Sequence, residues 1–140
     1  MTPFLNLIII AVASYLLGSF PTAILVSRKF FGFDIRDKGS GNMGSTNAFR
    51  VLGVKWGIIV QLMDIAKGVL AVVVIASLFG AGIKFPGITM FEDMTVVRLI
   101  AGICAVMGHM WSVFVGFRGG KGINTAAGML AGIAPIDVGI

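Results

Sequence analysis

The chain has 140 residues, 57% of them hydrophobic and only 12% charged, with a mean hydropathy of +1.00. Water-soluble domains carry about 25% charged residues, so a soluble globular fold is excluded and the bilayer is read as the solvent. The net charge of +5, from 11 Lys+Arg against 6 Asp+Glu, would point to nucleic acid in a soluble protein. Here the basic residues gather at the ends of apolar runs, where they mark topology and meet anionic head groups or phosphates.

Four apolar segments follow one another. The first runs from about Phe4 to Ser27 without a charge. At about 1.5 Å per residue it is long enough to cross the roughly 30 Å hydrocarbon layer. It lacks a basic n-region and reads as a retained signal-anchor helix. Pro21, in GSFP, predicts a kink whose freed backbone groups neighbouring helices must satisfy.

Loop one, 28–53, carries Arg28, Lys29, Arg36, Lys38 and Arg50 against Asp34 and Asp37. Inside it, Gly39-Ser40-Gly41-Asn42-Met43-Gly44 spells G-x-G-x-x-G. A dinucleotide site needs that motif after a strand and before a helix of a βαβ unit, and this one follows a membrane helix. An esterase G-x-S-x-G around Ser40 also fails, because Lys38 stands at its first position. What remains is the physics under the motif. Gly39, Gly41 and Gly44 permit turns in which N–H groups converge on an anion. Ser40, Asn42, Ser45, Thr46 and Asn47 add short polar side chains, and Arg50 adds a planar fork suited to phosphate. A polar, mobile inter-helix loop is the plainer alternative.

The second segment, about Val54 to Ala81, contains Asp64 and Lys67 at i and i+3, placed to neutralise each other on one helix face. Loop two, 82–94, carries Lys84 against Glu92 and Asp93. The third segment, about Thr95 to Phe117, contains Arg98, the lone Cys104, read as a small core residue, and His109. That sole histidine is open to two readings, a general base or a hydrogen-bonded structural residue.

Loop three, 116–122, reads GFRGGKG, with Arg118 and Lys121 among Gly119, Gly120 and Gly122. It is no P-loop, since Val115 and Gly122 stand where Gly and Ser/Thr are needed, yet a lysine in a close-approach backbone suits phosphate. A basic loop that only obeys the positive-inside rule is the alternative. Both glycine-rich loops are expected on the cytoplasmic face, with the N-terminus outside. The fourth segment starts near Gly122 and is still apolar at Ile140, so the sequence reads as the N-terminal part of a longer protein. The pairs Gly53-x-x-x-Gly57 and Gly128-x-x-x-Gly132 fit helix packing. The expected fold is an all-α, multi-pass membrane bundle, a single domain over 1–140.

In order and spacing, YLLGSFPTA, GSGNMGSTNAFR, DIAKG and GHMWSVFVGFRGGKGINT resemble the bacterial acyl-phosphate:glycerol-3-phosphate acyltransferases, the PlsY family. The resemblance implies transfer of a fatty acyl group from acyl phosphate to the 1-position of glycerol 3-phosphate. Its products are lysophosphatidic acid and phosphate, at the start of phospholipid synthesis in the bacterial plasma (inner) membrane. It implies no cofactor, no metal and no nucleic acid as partner.

By motif position, Ser40 and Arg50 match essential residues of the first loop, shaped by Asn42 and Thr46. Lys121 matches the basic residue of the second, where the glycines help hold glycerol 3-phosphate. Ser45 departs from the family's usual Ala, and Arg118 and Asn124 from a common Lys and Ala. Complete members have seven membrane helices and a third cytoplasmic motif with Asn and His, beyond a point corresponding to Ile140. From the residues alone, half of an anion transporter built on broken helices and paired intramembrane charges is a competing reading. An inactive acyltransferase fragment is another.

Overall fold

The computed structural model describes residues 2–87 and 92–137, with side chains through Ala134. The expectations for 88–91 of loop two and for 138–140 lie outside the described residues.

Helix α1 (Pro3–Ser19) opens on Thr2, whose hydroxyl accepts from the Leu5 N–H at 3.2 Å, with Pro3 at the first helical position. That combination satisfies one orphan donor and places proline where its missing N–H costs nothing. The helix breaks at Phe20–Pro21 and resumes as α2 (Thr22–Val26) and a π-helical turn, Ser27–Phe31. The kink predicted at Pro21 is therefore present, and its freed carbonyls are met from outside the helix. Lys67 Nζ donates to Gly18 O at 3.1 Å and to Phe20 O at 3.0 Å, while the Ser112 hydroxyl donates to Ser19 O.

Loop one is more ordered than a connecting loop. It contains a 3-10 turn, Ile35–Asp37, and helix α3 (Ser45–Leu52). Gly53 ends α3 and begins α4 (Val54–Leu70), which continues through a π-helical turn into α5 (Ala76–Phe79). Helix α6 (Asp93–Met110) and a 3-10 turn, Val113–Val115, form the next crossing, and α7 (Ile123–Asp137) follows. Among the described residues, the spans Pro3–Phe31, Val54–Phe79 and Asp93–Val115 are long and apolar enough to cross a membrane. Ile123–Ala134 is a shorter apolar helix. The fold is thus all-helical and multi-pass.

Apolar side chains point outward from the bundle, among them Phe4, Leu62, Leu78 and Ile103, while Ser14, Ser19, Asp64, Lys67 and His109 are buried within it. Lipid supplies no hydrophobic force between helices, so close packing of small residues holds them together. α1 packs on α6, and α4 on α7. At the second contact, Gly68 faces the Thr125 carbonyl and Gly128 the Ile65 carbonyl. Gly53 behaves differently from its expected packing role: it sits at the α3–α4 junction with nothing near its missing Cβ, whereas Gly57 lies under the Phe49 ring. The chain's crossings bring loops one and three to the same end of the bundle, where Arg36 Nη1 donates to Val115 O at 2.7 Å.

Candidate active site

Loop one is built around Asn47. Its side chain is buried and spends its bonding capacity on the loop itself. Oδ1 accepts from Ser40 N at 3.0 Å, and Nδ2 reaches Ile35 O, Lys38 O and Asn42 O at 3.3, 3.1 and 2.8 Å. Gly39 must be glycine for this wrap: its φ is +57°, and a Cβ would fall 2.2 Å from Asn47 Oδ1. Asn42 Oδ1 accepts from Gly44 N at 2.7 Å and closes the turn before α3.

A second brace ties loop one to loop three. Asp34 accepts from Arg36 at 2.8 Å and from Arg28 at 2.7 Å, while Arg36 also reaches the Val115 carbonyl. The Arg36 guanidinium holds the Asp34 carboxyl well below the usual carboxylate range, despite the opposing effect of partial burial. Asp34 in turn raises Arg36 above its ordinary value.

Loop three folds back on the end of α6. Gly119 N donates to Met110 O at 3.0 Å and Gly120 N to His109 O at 3.1 Å. These two amides satisfy carbonyls that a helix C-terminus leaves open. They are therefore engaged within the chain, and the two glycines do not line the cavity. What Gly120 supplies is proximity, since a Cβ there would lie 2.3 Å from His109 Nε2.

Between the two loops lies a cavity of about 350 Å³. Its wall includes Ser40, Arg50, Lys121 and His109, the four residues singled out as candidate catalytic groups. Asn42, Gly44, Thr46, Asn47 and Gly122 also line it, whereas Gly39 and Gly41 stand behind the wall. Sequence reasoning did not place Gln61 and Asp64 of α4 there, although both line the cavity.

The first turns of two helices meet at this wall. Ser45 and Thr46 open α3, which has no side-chain cap; Ile123 and Asn124 open α7. Helix N-termini carry partial positive charge and directed N–H groups. Arg50 and Lys121 add two cationic side chains to the wall, which also contains the Asp64 carboxylate paired with Lys67. Asn124 Nδ2 donates to Ser45 Oγ at 2.6 Å and joins the two helix starts.

Beneath the cavity, Lys67 Nζ lies 3.0 Å from Asp64 Oδ1 and 3.0 Å from His109 Nδ1, with all three side chains buried. The i, i+3 pair expected from the sequence is present, and it reaches the histidine as well. No group of three or more His, Cys, Asp or Glu suited to a metal ion occurs among the described residues.

Comparison with known proteins follows the same lines. The family model described as Glycerol-3-phosphate acyltransferase matches residues 8–140. The glycerol-3-phosphate acyltransferase of Chlorobium chlorochromatii is 52% identical over 136 residues, 96% of this chain and 56% of that protein. That of Chlorobaculum tepidum is 51% identical over 140 residues, 99% of this chain and 57% of that protein. The crystal structure of PlsY (YgiH), an integral membrane glycerol 3-phosphate acyltransferase, is also similar. In its glycerol 3-phosphate form it superposes with a TM-score of 0.74 at 35% identity, over 93% of this chain and 58% of that one. Its lysophosphatidic acid form gives 0.69 at the same identity and coverage. The chain thus spans a little over half the length of the relatives it matches.

Proposed function

The chain belongs to the glycerol-3-phosphate acyltransferase family, and from that premise we propose that it takes part in acylating glycerol 3-phosphate at its 1-hydroxyl, with acyl phosphate as the donor. The observation that carries this reading is the convergence of Ser40, Arg50 and Lys121 on one cavity, with the starts of α3 and α7 in the same wall. Both substrates are phosphates, and phosphate binding is what fixed cations and helix N-termini favour. The related structures with glycerol 3-phosphate and with lysophosphatidic acid support the acceptor and product.

The chemistry asks little of the protein beyond placement. The 1-hydroxyl oxygen bonds the acyl carbon while the bond from that carbon to the phosphate oxygen breaks. Phosphate leaves with the bonding electron pair and, as hydrogen phosphate, carries the proton away. No acyl-serine is required. Arg50 and Lys121 stabilise charge on the phosphates, Ser40 donates a hydrogen bond, and the acyl chain lies along the apolar helices. The loops face the cytoplasm of a bacterial plasma membrane and the N-terminus lies outside, in keeping with the excess of basic residues in loops one and three.

The test is glycerol-3-phosphate-dependent release of phosphate from palmitoyl phosphate, with the chain reconstituted in lipid. Arg50→Ala is expected to lower the rate roughly a hundredfold or more, the scale for removing one fixed donor to developing charge. Release that is independent of glycerol 3-phosphate, or equal in the variant, overturns the assignment.

A further inference from the structure

The contacts of Lys67 bear on the protonation state of the histidine beside it. A lysine ammonium has three N–H donors and no acceptor. Its nitrogen lies 3.1 Å from Gly18 O, 3.0 Å from Phe20 O and 3.0 Å from His109 Nδ1, each a hydrogen-bond distance. Asp64 Oδ1 stands 3.0 Å away, where it balances the charge and competes as a fourth acceptor, and it lies 3.7 Å from His109 Nδ1. A proton on Nδ1 would face an ammonium proton across 3.0 Å. Beside a charged Lys67, which has no lone pair to receive it, an Nδ1 proton is disfavoured and Nδ1 is the bare nitrogen. The Nδ1–H tautomer and the imidazolium would each set a proton against the ammonium, an arrangement that favours the ring proton on Nε2.

Nε2 sits on the opposite edge of the ring, close under Gly120, and the ring forms part of the cavity wall. No described residue accepts a hydrogen bond from it. We propose that Lys67, which does not itself line the cavity, is a positioning residue that holds His109 as the Nε2–H tautomer. The sole histidine of the chain then offers the cavity a hydrogen-bond donor for a phosphate oxygen and not a base. This proposal rests on the reading of the cavity as a phosphate site. It resolves the two roles left open for His109 by a third, in which the ring is fixed by the protein on one side and donates to the ligand on the other.

The single histidine makes the test direct. With ¹⁵N-labelled histidine in the chain in lipid nanodiscs, protonated and bare ring nitrogens resonate far apart. At neutral pH the expected spectrum has Nε2 protonated and Nδ1 bare, with Nδ1 displaced by accepting a hydrogen bond. Inorganic phosphate or glycerol 3-phosphate should move the Nε2 signal in a saturable way. Asp64→Asn combined with Lys67→Met, which leaves no unpaired buried charge, should abolish the Nδ1 displacement.

A protonated Nδ1 in the unsubstituted chain overturns the proposal, and so does an Nδ1 signal that the double variant leaves in place. An Nε2 signal indifferent to both phosphates overturns the donor role. Because the tautomer is read without substrate, its failure is distinguishable from a silent acyltransfer assay.

Discussion

Ser45 and Asn124, at the starts of α3 and α7, are bonded to each other at 2.6 Å. Each polar group answers the other, so replacing one leaves its partner half-satisfied. Ser45→Ala and Asn124→Ala are each expected to destabilise the chain by about 0.5–1.5 kcal/mol. The double variant should cost less than the sum, with a coupling visible in a double-mutant cycle of thermal melts. Asp34 carries a different kind of effect. Its folded pKa lies below the ordinary value of 3.8, so its contribution to stability is present above pH 4 and is lost as the pH falls further. The unsubstituted protein should therefore lose more stability between pH 5 and pH 3 than Asp34→Asn does. At neutral pH the variant should be less stable by about 1.5–3 kcal/mol, the range for hydrogen bonds to charged groups.

The spans follow from apolar length alone, and the break in the first follows from Pro21, which has no N–H and a fixed φ. What the sequence concealed was α3: its eight residues begin Ser-Thr-Asn and lie between glycines, and this polar opening masks the i, i+3, i+4 spacing of Ala48, Val51 and Leu52. The convergence of loops one and three was legible, because the basic residues of both put them on one face. The partners of Lys67 were legible only in part. Asp64, three residues away, could be read from helical spacing, but Gly18, Phe20 and His109 are 49, 47 and 42 residues distant in sequence. Only the packed bundle brings them together. The α4–α7 contact depends on Gly68 and Gly128, where a Cβ would lie 2.1 and 2.0 Å from a facing carbonyl oxygen. Gly128→Val is expected to push the helices apart at a cost of about 1–3 kcal/mol, measured as a lowered unfolding midpoint in lipid.

For the molecule as a whole, the buried cluster of Asp64, Lys67 and His109 joins the first, second and third spans. Lys67→Met strands the Asp64 carboxylate and is expected to destabilise the bundle by about 3–5 kcal/mol. Asp64→Asn in the same chain should recover much of that loss, as read by the same melts. The break at Phe20–Pro21 has a further consequence for biogenesis. The carbonyl of Phe20 also takes the Thr22 N–H, but that of Gly18 is met by a lysine made 49 residues later. At about 5–20 residues per second, Lys67 follows several seconds later. Through that interval the Gly18 carbonyl of the first span lacks this donor, at a cost in hydrocarbon. The first span is therefore expected to stay beside the translocon or its water until the second arrives, and the two to enter lipid as a hairpin. Nascent chains stalled before Lys67 leaves the ribosome should remain crosslinkable to the translocon, and chains stalled beyond the second span should not.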